Sequence, residues 1–134
     1  MPRRAPIDIF NDPQRIATLS TIDAEGQPNA AVFDSLRMLD DQTVIMASGA
    51  NRTLANLRSN PQAVCLFTIP GDTPLLYQGG RLYLTVESIQ EEGDQLEQLK
   101  EGVRQAAGEM AANSIRAAVT FRVTGYRPLI DRTA

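Results

Sequence analysis

The residues best suited to chemistry stand close together at Ser48, Gly49, Asn51, Arg52 and Thr53. They follow a strand-like run, Thr43-Val44-Ile45-Met46, and the small residue Ala47. They precede a helical pattern in which Leu54 and Leu57 lie three apart before Asn60-Pro61 stops it. A strand end, a small-residue turn and a helix start make a seat for an anion. Backbone N–H groups of the first helical turn have no partner within the helix, and the helix dipole favours negative charge there. Small side chains let a ligand approach the backbone. Arg52 adds charge-assisted hydrogen bonds suited to a phosphate. A plainer reading stands beside this one: Thr53 or Ser48 caps a helix, Gly49 permits a turn, and Arg52 is a solvated charge. With one glycine and no Gly-Lys-Ser/Thr, the signal is weaker than that of a nucleotide-binding P-loop.

Missing residue types narrow the chemistry further. The 134 residues include no histidine, which removes Ser-His-Asp and Cys-His catalysis and the commonest metal ligand. The single cysteine, Cys65, cannot make an internal disulfide or a thiolate metal site, and its apolar run Ala63–Ile69 predicts a packed, inert thiol. No catalytic residue can be named, and no metal site is expected. Any redox chemistry has to be carried by a borrowed group. Thirteen basic against 16 acidic residues, a net charge of -3, leave no basic patch for nucleic acid beyond Arg3-Arg4. No apolar segment is long enough for a signal peptide or a membrane span, so the expected location is cytoplasmic.

The elements that must position these residues are mostly strands. One domain is expected over 1–134, with residues 1–12 an N-terminal arm carrying one helical turn at Ile7, Ile9 and Phe10. Ile16–Ile22 is a strand, Asp23-Ala24-Glu25-Gly26 a turn, and Asn29 to about Leu39 an antiparallel return. With residues 43–47 these strands form a meander. Gln62–Ile69 is a fourth strand, almost wholly apolar. Gly79-Gly80 marks a turn before a fifth strand over 82–87, whose residues alternate with a period of two. A helix follows over about 93–110, its stripe of Leu96, Leu99, Val103, Ala106 and Met110 packing on the barrel. Ile115 to Val123 alternate as the last strand. The expectation is a mainly β (α+β) fold: a small closed or nearly closed antiparallel barrel of six strands, with a short helix after strand 3 and a longer amphipathic helix before the last strand.

These features in this order resemble the pyridoxamine 5′-phosphate oxidase-like FMN-binding split barrels. Ile16 to Ala31, with its Asp-Ala-Glu-Gly-Gln-Pro turn, resembles that family's opening hairpin. Asn51-Arg52-Thr53-Leu54-Ala55-Asn56-Leu57-Arg58-Ser59-Asn60-Pro61 resembles its signature helix. The resemblance runs through nearly the whole chain and is closest to the small single-domain members. It implies a homodimer with FMN in grooves at the subunit interface. It places the phosphate at Arg52 and Thr53, and the ring along Val32, Phe33, Asp34, Ser35 and Leu36 and along Met46, Ala47 and Ser48. The partner subunit closes the site through its C-terminal strand, around Tyr126 and Arg127, or through the 70–80 loop.

Two departures matter. True pyridoxamine phosphate oxidases end in Arg-Leu-Ala-Pro and use a histidine toward substrate. The stretch from Gly125 to Ala134 matches neither, which argues against vitamin B6 oxidation. Asp34 would also set a carboxylate beside a ring that becomes anionic on reduction, unless it points to solvent or pairs with Arg37. The resulting expectation is a small FMN-dependent oxidoreductase acting with a small-molecule redox partner, of the flavin-reductase or nitroreductase kind. The alternatives are a non-catalytic flavin carrier, or a split barrel for a deazaflavin or another phosphorylated ligand.

Overall fold

Alternating apolar and polar side chains dictate the strands of the computed structural model, which describes residues 4–130. Residues 1–3 of the expected arm, including Arg3, and 131–134 of the terminal stretch lie outside the described residues. In β1 (Ile16–Ile22), Ala17, Leu19 and Thr21 face inward. Asp23 then accepts from the N–H groups of Glu25 and Gln27, and Gly26 adopts a left-handed φ of 83°, which reverses the chain into β2 (Pro28–Val32). β3 (Arg37–Asp40) and β4 (Thr43–Gly49) form a second hairpin. β5 (Gln62–Ile69), β6 (Gln78–Gln90) and β7 (Ile115–Pro128) complete one antiparallel sheet, in the order β2-β1-β5-β6-β7-β4-β3.

The expected class holds, a mainly β split barrel with helices, but among the described residues it has seven strands rather than six. The run from Asn29 to Leu39 is two strands, because residues 33–36 leave the ladder. The carbonyls of Phe33, Asp34 and Leu36 are taken by the Arg15 side chain instead of by a neighbouring strand. β2 and β3 consequently lie at opposite ends of the strand order, and the expected meander is a pair of separate hairpins.

Gly79-Gly80 is likewise not a turn. Both residues belong to β6, and the reversal falls earlier, around a 3₁₀ turn at Pro74–Leu76. The glycines are needed for close approach. A Cβ on Gly79 would lie 2.0 Å from the Phe67 carbonyl oxygen, and one on Gly80 would lie 2.6 Å from the Tyr126 ring.

Among the described residues four α-helices lie around the sheet. α1 (Pro6–Phe10) starts on a proline at its first position and ends by burying Phe10, whose ring meets Phe67 edge-on at 5.1 Å. α2 (Arg52–Ser59) packs Leu54 and Leu57 into the core. Its buried Asn56 donates to the Thr21 hydroxyl at 3.0 Å, which fastens the helix to β1. α3 (Asp94–Ala107) ends at Gly108, whose φ of 94° separates it from α4 (Glu109–Ser114). The expected stripe is therefore shorter than its periodicity suggests. Leu96, Leu99 and Val103 pack against Ala47, Ile115 and Ala118, whereas Ala106 in the last turn and Met110 beyond the break are exposed. A periodic pattern loses its face where the helix axis changes direction.

The barrel interior is filled by its own side chains, among them Leu19, Phe67, Leu82, Leu84, Val119 and Phe121. Cys65 lies there too, and burial pushes its thiol up to about 12, as suits an inert packing residue. No helix among the described residues is long and apolar enough to cross a membrane.

Candidate functional site

The stretch expected to seat an anion lies where β4 passes into α2. Asn51, rather than Ser48 or Thr53, caps the helix: its Oδ1 accepts from the Leu54 N–H at 2.9 Å. The cap satisfies the third helical N–H and leaves those of Arg52 and Thr53 without an acceptor among the described residues. The Arg52 side chain is exposed, and no described residue pairs with its guanidinium. Two open donors and an unpaired cation on one helix start fit a phosphate in charge and in donor count.

The other expected positions divide by what they can present. Met46 faces the barrel core, Ala47 faces α3, and the Ser48 hydroxyl turns back on the Gly49 carbonyl at 3.0 Å. Leu36 is in the core, and Thr53 is only 2% exposed. At Leu36, Met46, Ala47 and Ser48 the side chains are taken up by the fold, which leaves the backbone to be presented. Val32, Asp34 and Arg52 are exposed, while Ser35 and Gly49 are half-buried. Phe33 packs its ring partly on the core. Asp34 makes no ion pair with Arg37 or any other described residue, so of its two expected placements the solvent-facing one holds.

One contact joins the two stretches expected to line the ring. The Ser35 hydroxyl donates to the Ala47 carbonyl at 2.7 Å, fastening the 33–36 segment to β4 just ahead of Ser48 and Gly49. On the opposite side the segment is held by Arg15, whose side chain is part of the buried interior. Its Nε donates to the Phe10 carbonyl at 2.7 Å and Nη1 to that of Phe33 at 3.2 Å. Nη2 reaches the carbonyls of Asp34, at 3.4 Å, and Leu36. The guanidinium also sits 5.2 Å from the Phe10 ring centre. Burial lowers its pKa against the pull of the nearby Cys65 and Asp34, yet an arginine keeps its proton under such conditions. Asn11 does the same for β3: its side chain donates to the Met38 carbonyl at 2.8 Å and accepts from the Met38 N–H at 2.9 Å.

Arg15 and Asn11 are the residues that the sequence pattern misses. An arginine just before a strand carries no local mark of burial.

A groove of about 660 Å³ lies between α1 and β3, larger than a concavity against residues 34–37. None of the expected ligand positions lines the groove. The smaller, about 260 Å³, lies against Asp34, Ser35, Leu36 and Arg37 and touches Arg15. Among the described residues no cluster of His, Cys, Asp or Glu is arranged to hold a metal.

An antiparallel split barrel whose fourth strand ends in an open helix start, beside an irregular segment between its two edge strands, defines a class of fold. Residues 7–128 match the family model described as pyridoxamine 5′-phosphate oxidase, and the chain belongs to that family. Among solved structures it is similar to an FMN-binding protein from Syntrophomonas wolfei, at 25% identity and a TM-score of 0.77, over 93% of this chain and 84% of that one. It is similar to HupZ from Group A Streptococcus, at 26% identity and a TM-score of 0.76, over 96% and 94% of the two chains. An F420 reductase, 16% identical with a TM-score of 0.69 over 93% and 98%, shares the fold. No curated protein matches the sequence.

Proposed function

We propose that the protein binds FMN and serves as a small flavin-dependent oxidoreductase. The observation that carries this reading is the unpaired Arg52 guanidinium beside the open N–H groups of Arg52 and Thr53, in a chain of this family. The phosphate would be held there. The isoalloxazine ring would lie against the backbone of 33–36 and 46–48, where buried side chains leave peptide groups as the recognition surface. When bound, the flavin supplies the electron or hydride transfer. The chain's own residues bind and orient it, and no histidine is present to move a proton.

The barrel interior is packed, so a ring site has to lie outside it. Apolar side chains outside 33–36 and 46–48 stand open: Val32 is 65% exposed, and Leu66 and Tyr83 are exposed on β5 and β6. Two copies related by a twofold axis would cover such apolar surface and enclose both rings, which supports a homodimer with FMN at the interface. Sedimentation at micromolar concentration is expected to give twice the chain mass; a single-chain mass would remove the intersubunit groove. The absence of histidine supports an activity other than vitamin B6 oxidation.

The test of the reading is the visible spectrum of freshly purified protein, followed by identification of the molecule it releases on denaturation. Released FMN, with bleaching by NADH or NADPH and turnover on an added acceptor, is the expected result. FMN without turnover would make the protein a carrier. A released deazaflavin, or no uptake of added FMN, would overturn the assignment.

A further inference from the structure

The 33–36 segment carries an unusual arrangement of peptide groups. In a trans peptide the C=O of one residue and the N–H of the next point in opposite directions. The carbonyls of Phe33 and Asp34 point at the Arg15 guanidinium, so the N–H groups of Asp34 and Ser35 point away from it. Neither N–H has an acceptor among the described residues, whereas the preceding one, of Phe33, is taken by the Ala17 carbonyl at 3.0 Å. The segment therefore presents two adjacent, unpaired backbone donors on the side remote from the arginine.

Packing anchors the segment at its ends, Phe33 and Leu36, and leaves the middle open. A cavity of about 260 Å³ lies against residues 34–37, and Asp34 is exposed. Hydrogen bonds hold the segment: Ser35 to Ala47 on one flank, and the Arg15 fork on the other. The arginine makes no ion pair among the described residues: its hydrogen bonds all go to carbonyl oxygens, it lies by the face of the Phe10 ring, and the nearby Asp34 carboxylate adds only a longer-range attraction. A carbonyl bonded to a cation polarises its own peptide, which makes the N–H on the other side a stronger donor. Lysine carries the same charge but cannot span several carbonyls with one planar fork.

We propose that Arg15 is a positioning residue for the bound ring: by holding the carbonyls of Phe33 and Asp34, it aims and polarises the N–H groups of Asp34 and Ser35 at the electron-rich carbonyl edge of the ligand. Arg15 touches no ligand itself. The inference rests on the flavin-binding reading and adds to it a residue on the far side of the segment from the ring.

The experiment compares wild type, Arg15→Lys and Arg15→Met for FMN affinity, bound-flavin visible spectrum and thermal midpoint, with Asp34 and Ser35 amide shifts followed by NMR in the wild type. On adding FMN, both wild-type amides are expected to move downfield. Arg15→Lys is expected to fold, to lose roughly tenfold in affinity and to shift the visible band of the bound flavin; Arg15→Met is expected to lose more. Folded Arg15→Lys and Arg15→Met proteins with wild-type affinity and spectrum would overturn the proposal. So would wild-type Asp34 and Ser35 amides that stay in place when FMN binds, a measurement that needs no variant to fold. Failure of wild type to take up FMN at all would sink the flavin reading and this inference with it. Uptake with unmoved amides would sink the inference alone.

Discussion

Arg15 and Arg52 are the same side chain in opposite settings, one just ahead of β1 and the other opening α2. Arg15 is 8% exposed and donates to four backbone carbonyls. Arg52 is exposed, with no partner among the described residues and two open N–H groups beside it. A buried guanidinium that gives four of its five N–H groups to carbonyls has little capacity left for a ligand and acts through the backbone it holds. An exposed, unsaturated one is free to bind but does little for the fold. Partners and burial, not residue type, separate structural work from binding work.

Replacing each arginine tests that contrast. Arg15→Met leaves several partly buried carbonyls without a donor, and equilibrium unfolding in denaturant is expected to show a loss of about 3 kcal/mol. Arg52→Ala, by the same measurement, is expected to stay within about 0.5 kcal/mol of wild type. Equal losses from the two would erase the distinction.

For binding, the contrast sharpens at Arg52. Titration calorimetry or fluorescence quenching should show Arg52→Ala weakening FMN by about 1.5–3 kcal/mol, roughly ten- to hundredfold, through loss of charged hydrogen bonds. Unchanged affinity would take Arg52 out of the site.

The dryness of the Arg15 side has a pH signature through its neighbour Cys65. The folded thiol is raised from an ordinary 9.0 to about 12, mainly by burial and against the opposing effect of Arg15. The native state thus keeps a proton that the unfolded chain releases. Its contribution to stability is complete below about pH 9 and is lost as pH climbs from there toward 12, by at most about 1.4 kcal/mol per pH unit. Unfolding measured across that window in wild type and Cys65→Ala should show a shallower slope in the variant. Parallel slopes would mean that the thiol is hydrated.

The smallest expected effect is at the helix cap. Asn51→Ala removes the bond to the Leu54 N–H and is expected to cost about 1 kcal/mol of stability. FMN affinity should fall less than in Arg52→Ala, because the Arg52 and Thr53 donors remain. A larger binding loss than in Arg52→Ala would move the centre of the site from the cation to the cap.

Local pattern alone determined a good deal. Ile16–Ile22 alternates, and the strand has those bounds. Asn51-Arg52-Thr53 opens the short helix and Asn60-Pro61 closes it, because capping chemistry and proline sterics act within a few residues. The family was legible from the same two stretches. What needed the tertiary structure was whatever depends on partners distant in sequence. Whether residues 29–39 form one strand or two was decided by a guanidinium more than ten residues earlier, competing for their carbonyls. Gly79 and Gly80 look like a turn until Phe67 and Tyr126 lie across them. A hydrogen-bonding group's role is set by the acceptor or donor that reaches it first, and only the folded chain brings the distant ones within reach.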